Sequence, residues 1–347
     1  MTKVAVALSG GVDSAVVAKL LIEQGYEVIG ITGKMTCSED ADIIVNNAKK
    51  VADKLGIKHF VLDVSNKFQE KIIKYFETSY KNGETPNPCI MCNKHIKWGE
   101  LFDYAINNLG ADFIATGHYA NIINNDGTYK LYPASDEHKD QLYFLFLLTQ
   151  EHLAKTMFPL SNYKKEQVKQ LAEKYDLPPK SSKESQDICF IKAPMTTKKY
   201  LNNTFKPQTG NFIQKSTGKI LGKHDGYWQY TIGQRKGIGI AAPEPLYVLD
   251  IEPKSNTVFV GYKDELFVKT LELKNIQWNV PISEKDFDAL VKIRYNMNSV
   301  LANIKTNSDS TIITFKEEVS GLTPGQACVI YDLNDGFLLG GAFIYKT

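Results

Sequence analysis

Ser9-Gly10-Gly11-Val12-Asp13-Ser14 stands between a short apolar run, Lys3 to Leu8, and a helical pattern from Ser14 to Gln24 that Gly25 stops. A glycine turn joining a buried strand to a helix aims backbone N–H groups and the positive helix end at one point, where an anion is stabilised. Two glycines let the backbone approach closely. Asp13 and Ser14 are expected to cap the helix, and Asp13 to help hold a magnesium ion. An isolated Ser-Gly-Gly would read as a capped turn; the strand before it and the helix after it make this one a phosphate cradle. The GxxxxGK[ST] loop of ordinary nucleoside triphosphatases is absent, so β/γ cleavage of that type is not supported.

The alternation continues. Glu27 to Thr32 reads as a second strand, followed by a helix near Ala41 to Leu55, a strand at His59 to Val64, a helix at Lys67 to Lys81, another near Cys92 to Leu109, and a strand at Asp112 to Thr116. Strands alternating with helices predict an α/β fold built on a doubly wound parallel sheet. A hairpin is expected around Asn125-Asp126-Gly127, then helices at Gln141 to Leu148 and Lys164 to Tyr175. From about residue 200 the texture becomes β-rich, with short segments such as Gly210 to Ile213, Tyr227 to Thr231 and Leu246 to Ile251. Leu290 to Tyr295, Thr311 to Phe315, Ala327 to Asp332 and Phe337 to Ile344 then suggest a small barrel or sandwich. At 347 residues the chain exceeds one core, and three domains are expected: 1–199, 200–266 and 267–347.

Several classes are disfavoured. The amino-terminal stretch reads as strand and turn rather than a secretory signal, and the longest apolar run, Leu142 to Leu148, is far shorter than the roughly 20 residues of a membrane span. Five cysteines do not make a disulfide scaffold, which points to a reducing compartment and a cytoplasmic protein. Net charge is only +2, yet residues 161 to 240 carry 15 Lys/Arg against 6 Asp/Glu. That segment either faces phosphates or is a solvated lysine surface, and charge alone does not separate the two.

The thiols carry the next signal. Thr85-Pro86-Asn87-Pro88-Cys89-Ile90-Met91-Cys92-Asn93-Lys94 gives an extended, proline-bearing lead-in and a helix expected to open at about Cys92. A helix N-terminus and Lys94 would both favour the nucleophilic thiolate there. A lone CxxC lacks the second pair of a common structural zinc site. A third thiol, Cys189, lies in Lys183-Glu184-Ser185-Gln186-Asp187-Ile188-Cys189-Phe190-Ile191, expected to be a loop; Cys37 receives no role, and Cys328 reads as a core thiol.

SGGVDS is similar to the pyrophosphatase loop of enzymes that split ATP into AMP and pyrophosphate. SGGVDS, TPNPCIMCNK, ATGHYA, KDQLYFL, SQDICFI, GQRKGIGIA and TPGQA together, in this order and over nearly the whole chain, resemble the tRNA-specific 2-thiouridylases. The resemblance implies an enzyme that thiolates the wobble uridine, position 34, of lysine, glutamate and glutamine tRNAs. ATP is implied at Ala7, Leu8, Ser9, Gly10, Gly11, Val12, Asp13 and Ser14, with Gly33 and Gly117. The catalytic thiols are implied to be Cys92 and the persulfide-carrying Cys189, and the target base to meet Asn87, Pro88 and Cys89. Contacts to tRNA are implied for His118, Lys139, Asp140, Gln141, Arg294, Tyr295 and Gln326. Of 41 basic residues only Arg235 and Arg294 are arginine, and both fall in these motifs; a planar fork suits phosphate or base stacking. A cysteine desulfurase, acting directly or by relay, is the implied sulfur source.

One departure divides the mechanism. Where the better-known form of the family carries aspartate, three residues before the thiolase cysteine, this chain has Cys89. Either persulfide sulfur passes through Cys189 and Cys92 with a transient disulfide, or Cys89, Cys92 and Cys189 together ligate a [4Fe–4S] cluster.

Overall fold

A computed structural model describes residues 1–178 and 188–345. The first strand, β1 (Lys3–Ala7), is apolar on both faces and lies at the centre of a five-stranded parallel sheet ordered β3-β2-β1-β4-β7. Its companions are β2 (Glu27–Lys34), β3 (Lys58–Asp63), β4 (Phe113–Ala115) and β7 (Thr156–Met157). Helix α1 (Val12–Glu23) follows β1 and buries Ala15, Val16, Val17, Ala18, Leu20 and Leu21 against the sheet and its neighbours. Helix α2 (Glu39–Leu55) has three acidic residues in its first turn and ends on Gly56 in the left-handed conformation, complementing its dipole and satisfying its last carbonyls. Because β2 and β4 flank β1 on opposite sides, strand order reverses beside β1. The crevice beyond the carboxyl ends of β1 and β4 is where such sheets bind ligands.

The expected hairpin forms as β5 (Asn121–Asn125) and β6 (Thr128–Tyr132), with Asp126 and Gly127 both at positive φ, as a two-residue primed turn requires. Beyond the helix Thr197–Thr204, a four-stranded sheet, β10-β11-β8-β9, is built from β8 (Gly210–Gln214), β9 (Ile220–His224), β10 (Tyr247–Glu252) and β11 (Thr257–Gly261). A seven-stranded sheet, ordered β12-β16-β15-β14-β17-β18-β13, closes the described chain. It comprises β12 (Phe267–Leu273), β13 (Gln277–Trp278), β14 (Asp286–Lys292), β15 (Val300–Thr306), β16 (Thr311–Ser320), β17 (Ala327–Tyr331) and β18 (Leu338–Phe343). The chain is thus a doubly wound α/β unit followed by two β-rich ones.

Four local expectations are corrected. The run expected as a helix from Gln141 to Leu148 is only a 3₁₀ turn, Leu142–Leu145. Leu142, Tyr143, Leu145, Phe146 and Leu148 are all buried, and Tyr143 reaches into the seven-stranded sheet to donate to the Ala327 carbonyl at 2.8 Å, so packing overrides helical continuation. Tyr227 to Thr231 is a 3₁₀ turn over Tyr227–Gln229 rather than a strand, pinned where Trp228 Nε1 donates to Asn202 Oδ1 at 3.1 Å. Strand β14 ends at Lys292, leaving Arg294 and Tyr295 beyond it. The helix expected to open at Cys92 starts instead at Pro88, because proline is preset for a first helical turn. The loop reading of 183–187 lies outside the described residues.

Candidate active site

The Ser9–Ser14 loop is shaped by its own side chains and by β4. Gly10 has φ +72°, and a Cβ there would meet the Ile44 carbonyl oxygen at 2.8 Å. Helix α1 has Gly11 as N-cap with no side-chain cap, correcting the capping roles expected of Asp13 and Ser14. Ser14 Oγ instead accepts from Ser9 N at 3.1 Å and donates to the Gly11 carbonyl at 3.1 Å, folding the loop onto itself. Asp13 is bound by Lys165, whose buried Nζ lies 2.6 and 2.7 Å from its carboxylate oxygens. Leu8 joins the loop to β2, donating to the Ile31 carbonyl at 2.9 Å and accepting from Thr32 Oγ1 at 2.8 Å. Ala7 ends β1, and Gly33 lies near the end of β2 against Leu101 and Val64. Gly117, just past β4, presses on α1: a Cβ there would meet Asp13 Cβ at 3.0 Å.

The thiols come together from two segments. Cys89 and Cys92 sit on the short helix Pro88–Cys92, which runs on into a π-helix, Asn93–Leu101. Cys189 is brought over by its neighbour Phe190, whose ring stands edge-on to Phe68 at 5.9 Å and to Phe76 at 5.3 Å. Phe190 and Cys92 pack on the same apolar cluster of Val64, Phe68, Ile72, Ile73 and Ile96. The thiols interact electrostatically, Cys92 with both Cys89 and Cys189, and Lys97 acts on each of them. The activated thiolate expected at Cys92 is corrected: burial pushes this thiol up to about 12, against a smaller opposing pull from Lys97. Cys89 and Cys189 keep exposed surface, yet desolvation by the surrounding protein raises them too, again opposed by Lys97. The cation acting on Cys92 is Lys97, not the exposed Lys94, and with the helix opening at Pro88 it is Cys89 that occupies the first turn.

Residues 116–118 connect the two halves. While Gly117 abuts Asp13, the next residue, His118, is buried with Nε2 3.1 Å from Lys97 Nζ and Nδ1 2.7 Å from Thr116 Oγ1. Burial first, and the Lys97 charge second, hold this imidazole well below the usual histidine range, so it is neutral. The Ser9–Ser14 loop and the lysine beside the thiols are therefore linked through the three residues 116–118. Lys97, Phe190 and Lys165 escaped the sequence reading; Lys97 lies five residues beyond Cys92, a spacing that points away from the thiol in an ordinary α-helix.

The remaining predicted contacts divide. Asp140 turns its carboxylate onto the Ala134 and Leu142 amides at 3.1 and 3.3 Å, and Gln141 Oε1 accepts from Tyr119 N at 3.1 Å. Tyr295 joins them, donating from its hydroxyl to the Asp140 carbonyl at 3.2 Å, while Lys139 N donates to Asp136 O at 3.0 Å. Arg294 donates to the carbonyls of Ile232, at 2.9 Å, and Gly321, and to Thr323 Oγ1 at 2.6 Å, which ties the two β-rich units together. Gln326 Nε2 donates to the Thr85 carbonyl at 2.7 Å, and Thr85 N to the Pro324 carbonyl at 2.8 Å, fixing the lead-in to Asn87, Pro88 and Cys89. Arg235 is exposed and lines an open cavity of about 360 Å³ with Ile238, Pro243, Glu244 and Leu246.

Three family models match in sequence: a tRNA methyl transferase HUP domain over residues 2–193, a tRNA methyl transferase PRC-barrel domain over 198–262, and an aminomethyltransferase beta-barrel domain over 268–344. The tRNA-specific 2-thiouridylase MnmA of Carboxydothermus hydrogenoformans is 43% identical, covering 99% of this chain and 98% of its own. That of Gloeothece citriformis is 40% identical over 100% of both chains. Among solved structures, the U34-tRNA thiolase NcsA from Methanococcus maripaludis with its [4Fe-4S] cluster aligns over 54% of this chain and 60% of its own, at 22% identity and a TM-score of 0.37. That likeness is too distant to bear on mechanism.

Proposed function

We propose that this chain, which belongs to the tRNA-specific 2-thiouridylase family, thiolates the wobble uridine of lysine, glutamate and glutamine tRNAs by adenylating O2 and delivering sulfur through Cys189 and Cys92. The observation that carries this reading is the continuity of residues 116–118, with Gly117 against the phosphate loop and His118 on the lysine of the thiols. A carbonyl held between the two halves meets a phosphate site on one side and nucleophilic sulfur on the other.

In the first step uridine O2 attacks the α-phosphorus of ATP, and pyrophosphate leaves. The amides at the start of α1, which no side chain caps, favour the developing charge on the phosphates. A magnesium ion carried in with ATP would supply charge neutralisation at the leaving pyrophosphate. Asp13 is the carboxylate at the loop, but Lys165 holds both of its oxygens, at 2.6 and 2.7 Å, so this side chain does not fit a magnesium ligand and no step is assigned to it through the ion. In the second step the terminal sulfur of a Cys189 persulfide attacks C2, and AMP leaves with the former O2. The Cys92 thiolate then attacks Cys189 Sγ. The sulfur–sulfur bond breaks toward the base to leave a thiocarbonyl, and a Cys92–Cys189 disulfide forms. A thiol reductant reopens that disulfide, and a cysteine desulfurase or relay protein recharges Cys189.

Cys89, standing where a carboxylate is expected, favours a second reading in which the three thiols hold a [4Fe–4S] cluster. Among the described residues no three His, Cys, Asp or Glu side chains are grouped to hold a metal ion, so no step is derived through a cluster.

The test incubates anaerobically prepared protein with unmodified tRNA, ATP, magnesium and a sulfur source, then assays digested tRNA for 2-thiouridine by mass spectrometry. ATP-dependent thiouridine that disappears in Cys92→Ala and in Cys189→Ala is expected. AMP release without thiouridine overturns the substrate assignment, and stoichiometric iron and sulfide required for activity replace the persulfide with the cluster.

A further inference from the structure

Lys97 is the cation common to the three thiols, and the steps above leave it unused. Its position is built with care. The π-helix Asn93–Leu101 begins directly after Cys92, and i→i+5 winding brings residue 97 back toward the face of residue 92. In an α-helix five residues would leave the two side chains about 140° apart. Trp98 absorbs the distortion with φ −102° and ψ 16°. It is locked by burial and by its Nε1 donating to Thr156 Oγ1 at 2.8 Å.

The partner of Lys97 is as telling. An ammonium only donates, so the 3.1 Å contact makes His118 Nε2 the acceptor and leaves the ring proton on Nδ1, directed at Thr116 Oγ1 2.7 Å away. The ring is clamped by Trp98 at 5.3 Å and Phe158 at 6.0 Å. A carboxylate partner would cancel the lysine's charge; a neutral imidazole fixes its place and leaves the charge in force. Among the described residues Lys97 makes no salt bridge. The groups acting on the thiols are Lys97, the thiols themselves, and, at Cys189, Lys192.

We propose that Lys97 is the positioning cation of the sulfur-transfer half of the reaction, its ammonium held by His118 so that it draws the anionic sulfur of Cys92 and of the Cys189 persulfide to the adenylated base. The proposal rests on the sulfur-transfer reading above. In both sulfur steps the nucleophile is anionic sulfur: persulfide on C2 with loss of AMP, then Cys92 on Cys189 Sγ with the electron pair passing to the thiocarbonyl sulfur. Desolvation disfavours both anions, at the partly buried Cys92 and at Cys189, which keeps exposed surface, and Lys97 opposes it at each thiol. The role gives His118 a holding function in the protein interior.

The full-length chain is assayed with ATP, magnesium, unmodified tRNA and a cysteine desulfurase with cysteine, following pyrophosphate release and thiouridine separately. In Lys97→Met, pyrophosphate release and the KM for tRNA are expected within about twofold of wild type, while thiouridine falls roughly tenfold or more. Lys97→Arg, which keeps the charge, restores most of it. If the Met variant does not fold, Lys97→Gln retains a donor to His118 and gives the same answer. Iodoacetamide labelling of Cys92 and Cys189 in the folded protein at about pH 8 is expected to slow with loss of the charge. Undiminished thiouridine, or equal loss of pyrophosphate and thiouridine, overturns the proposal. Wild-type protein that makes no thiouridine, or Cys92→Ala and Cys189→Ala proteins that still make it, overturns the underlying reading instead.

Discussion

Lys165 Nζ grips both carboxylate oxygens of Asp13, at 2.6 and 2.7 Å, across 152 residues of sequence. Lys165 opens the helix Lys165–Lys174, and its backbone N–H is itself held by Asp136 Oδ2 at 2.8 Å. The ammonium is buried, while the carboxylate keeps 30% of its surface exposed beside the uncapped start of α1. Lys165→Met leaves that carboxylate without its cation and with only the Tyr119 hydroxyl at 3.4 Å, and a loss of roughly 1–3 kcal/mol is expected, below the range for a fully buried broken pair. ATP affinity should fall as well, because an uncompensated negative charge then faces the triphosphate. Denaturant melts and ATP titration check both, and Asp13→Asn in the same chain should recover part of the stability.

Gly10→Ala should damage ATP use more than its size suggests. The residue sits at φ +72°, and an added Cβ would press on the Ile44 carbonyl at 2.8 Å, so the loop must shift from α2. A stability loss of about 1–3 kcal/mol is expected with a larger KM for ATP, whereas Gly127→Ala, in the open hairpin turn, should strain the backbone alone. Equal KM values in the two variants would show that the loop does not depend on close approach at residue 10.

Arg294→Lys tests whether that arginine is architectural. All three acceptors, the Ile232 and Gly321 carbonyls and Thr323 Oγ1, converge on one guanidinium nitrogen, Nη2, and the lysine side chain, one atom shorter, does not carry its ammonium to that point. A loss of about 1–3 kcal/mol is expected in thermal or denaturant unfolding. Affinity for tRNA, measured well below the melting temperature, should change little; a large selective loss would place the guanidinium on RNA instead.

Gln326→Ala removes the 2.7 Å tether to the Thr85 carbonyl, two residues before Asn87. The expected outcome is a stability loss of about 1 kcal/mol and a clear fall in thiouridine formation with ATP binding intact, since the phosphate loop lies on a different segment. Hydrogen exchange of the Pro86 to Cys92 region should quicken in step.

Cys92 sets a direction for pH. Burial raises this thiol to about 12, so its reactive anion becomes scarcer in the folded protein than in the unfolded one. Alkylation of Cys92 in the native state should climb steadily from neutral pH into the alkaline range without a plateau near the ordinary thiol value. Linkage runs the same way: the protonated form is favoured by folding, so this contribution to stability is present below the unfolded value and declines as pH rises toward the folded one. A plateau near the ordinary thiol range would show the sulfur to be solvated.

The strand, glycine turn and helix of residues 3–24 are legible in the sequence, because strand burial, glycine freedom and helix polarity are local properties. The Asn125-Asp126-Gly127 hairpin was legible for the same reason, as was the ordering of motifs along the chain. What stayed hidden depends on distant segments. Helix polarity and Lys94 are local signals for an activated Cys92, whereas in the fold it packs with Phe68, Ile72, Ile96 and Phe190, and desolvation by groups far apart in sequence outweighs the local charge. Lys97 reaches the thiols through π-winding, which a 3.6-residue period does not reveal. Arg294 turns inward to backbone carbonyls because β14 ends two residues before it and brings it against Ile232 and Gly321. Residue type and local period decide which chemistry a segment can support; burial and cross-chain charge, which exist only once the sheets have closed, decide which of those chemistries the residue is left able to perform.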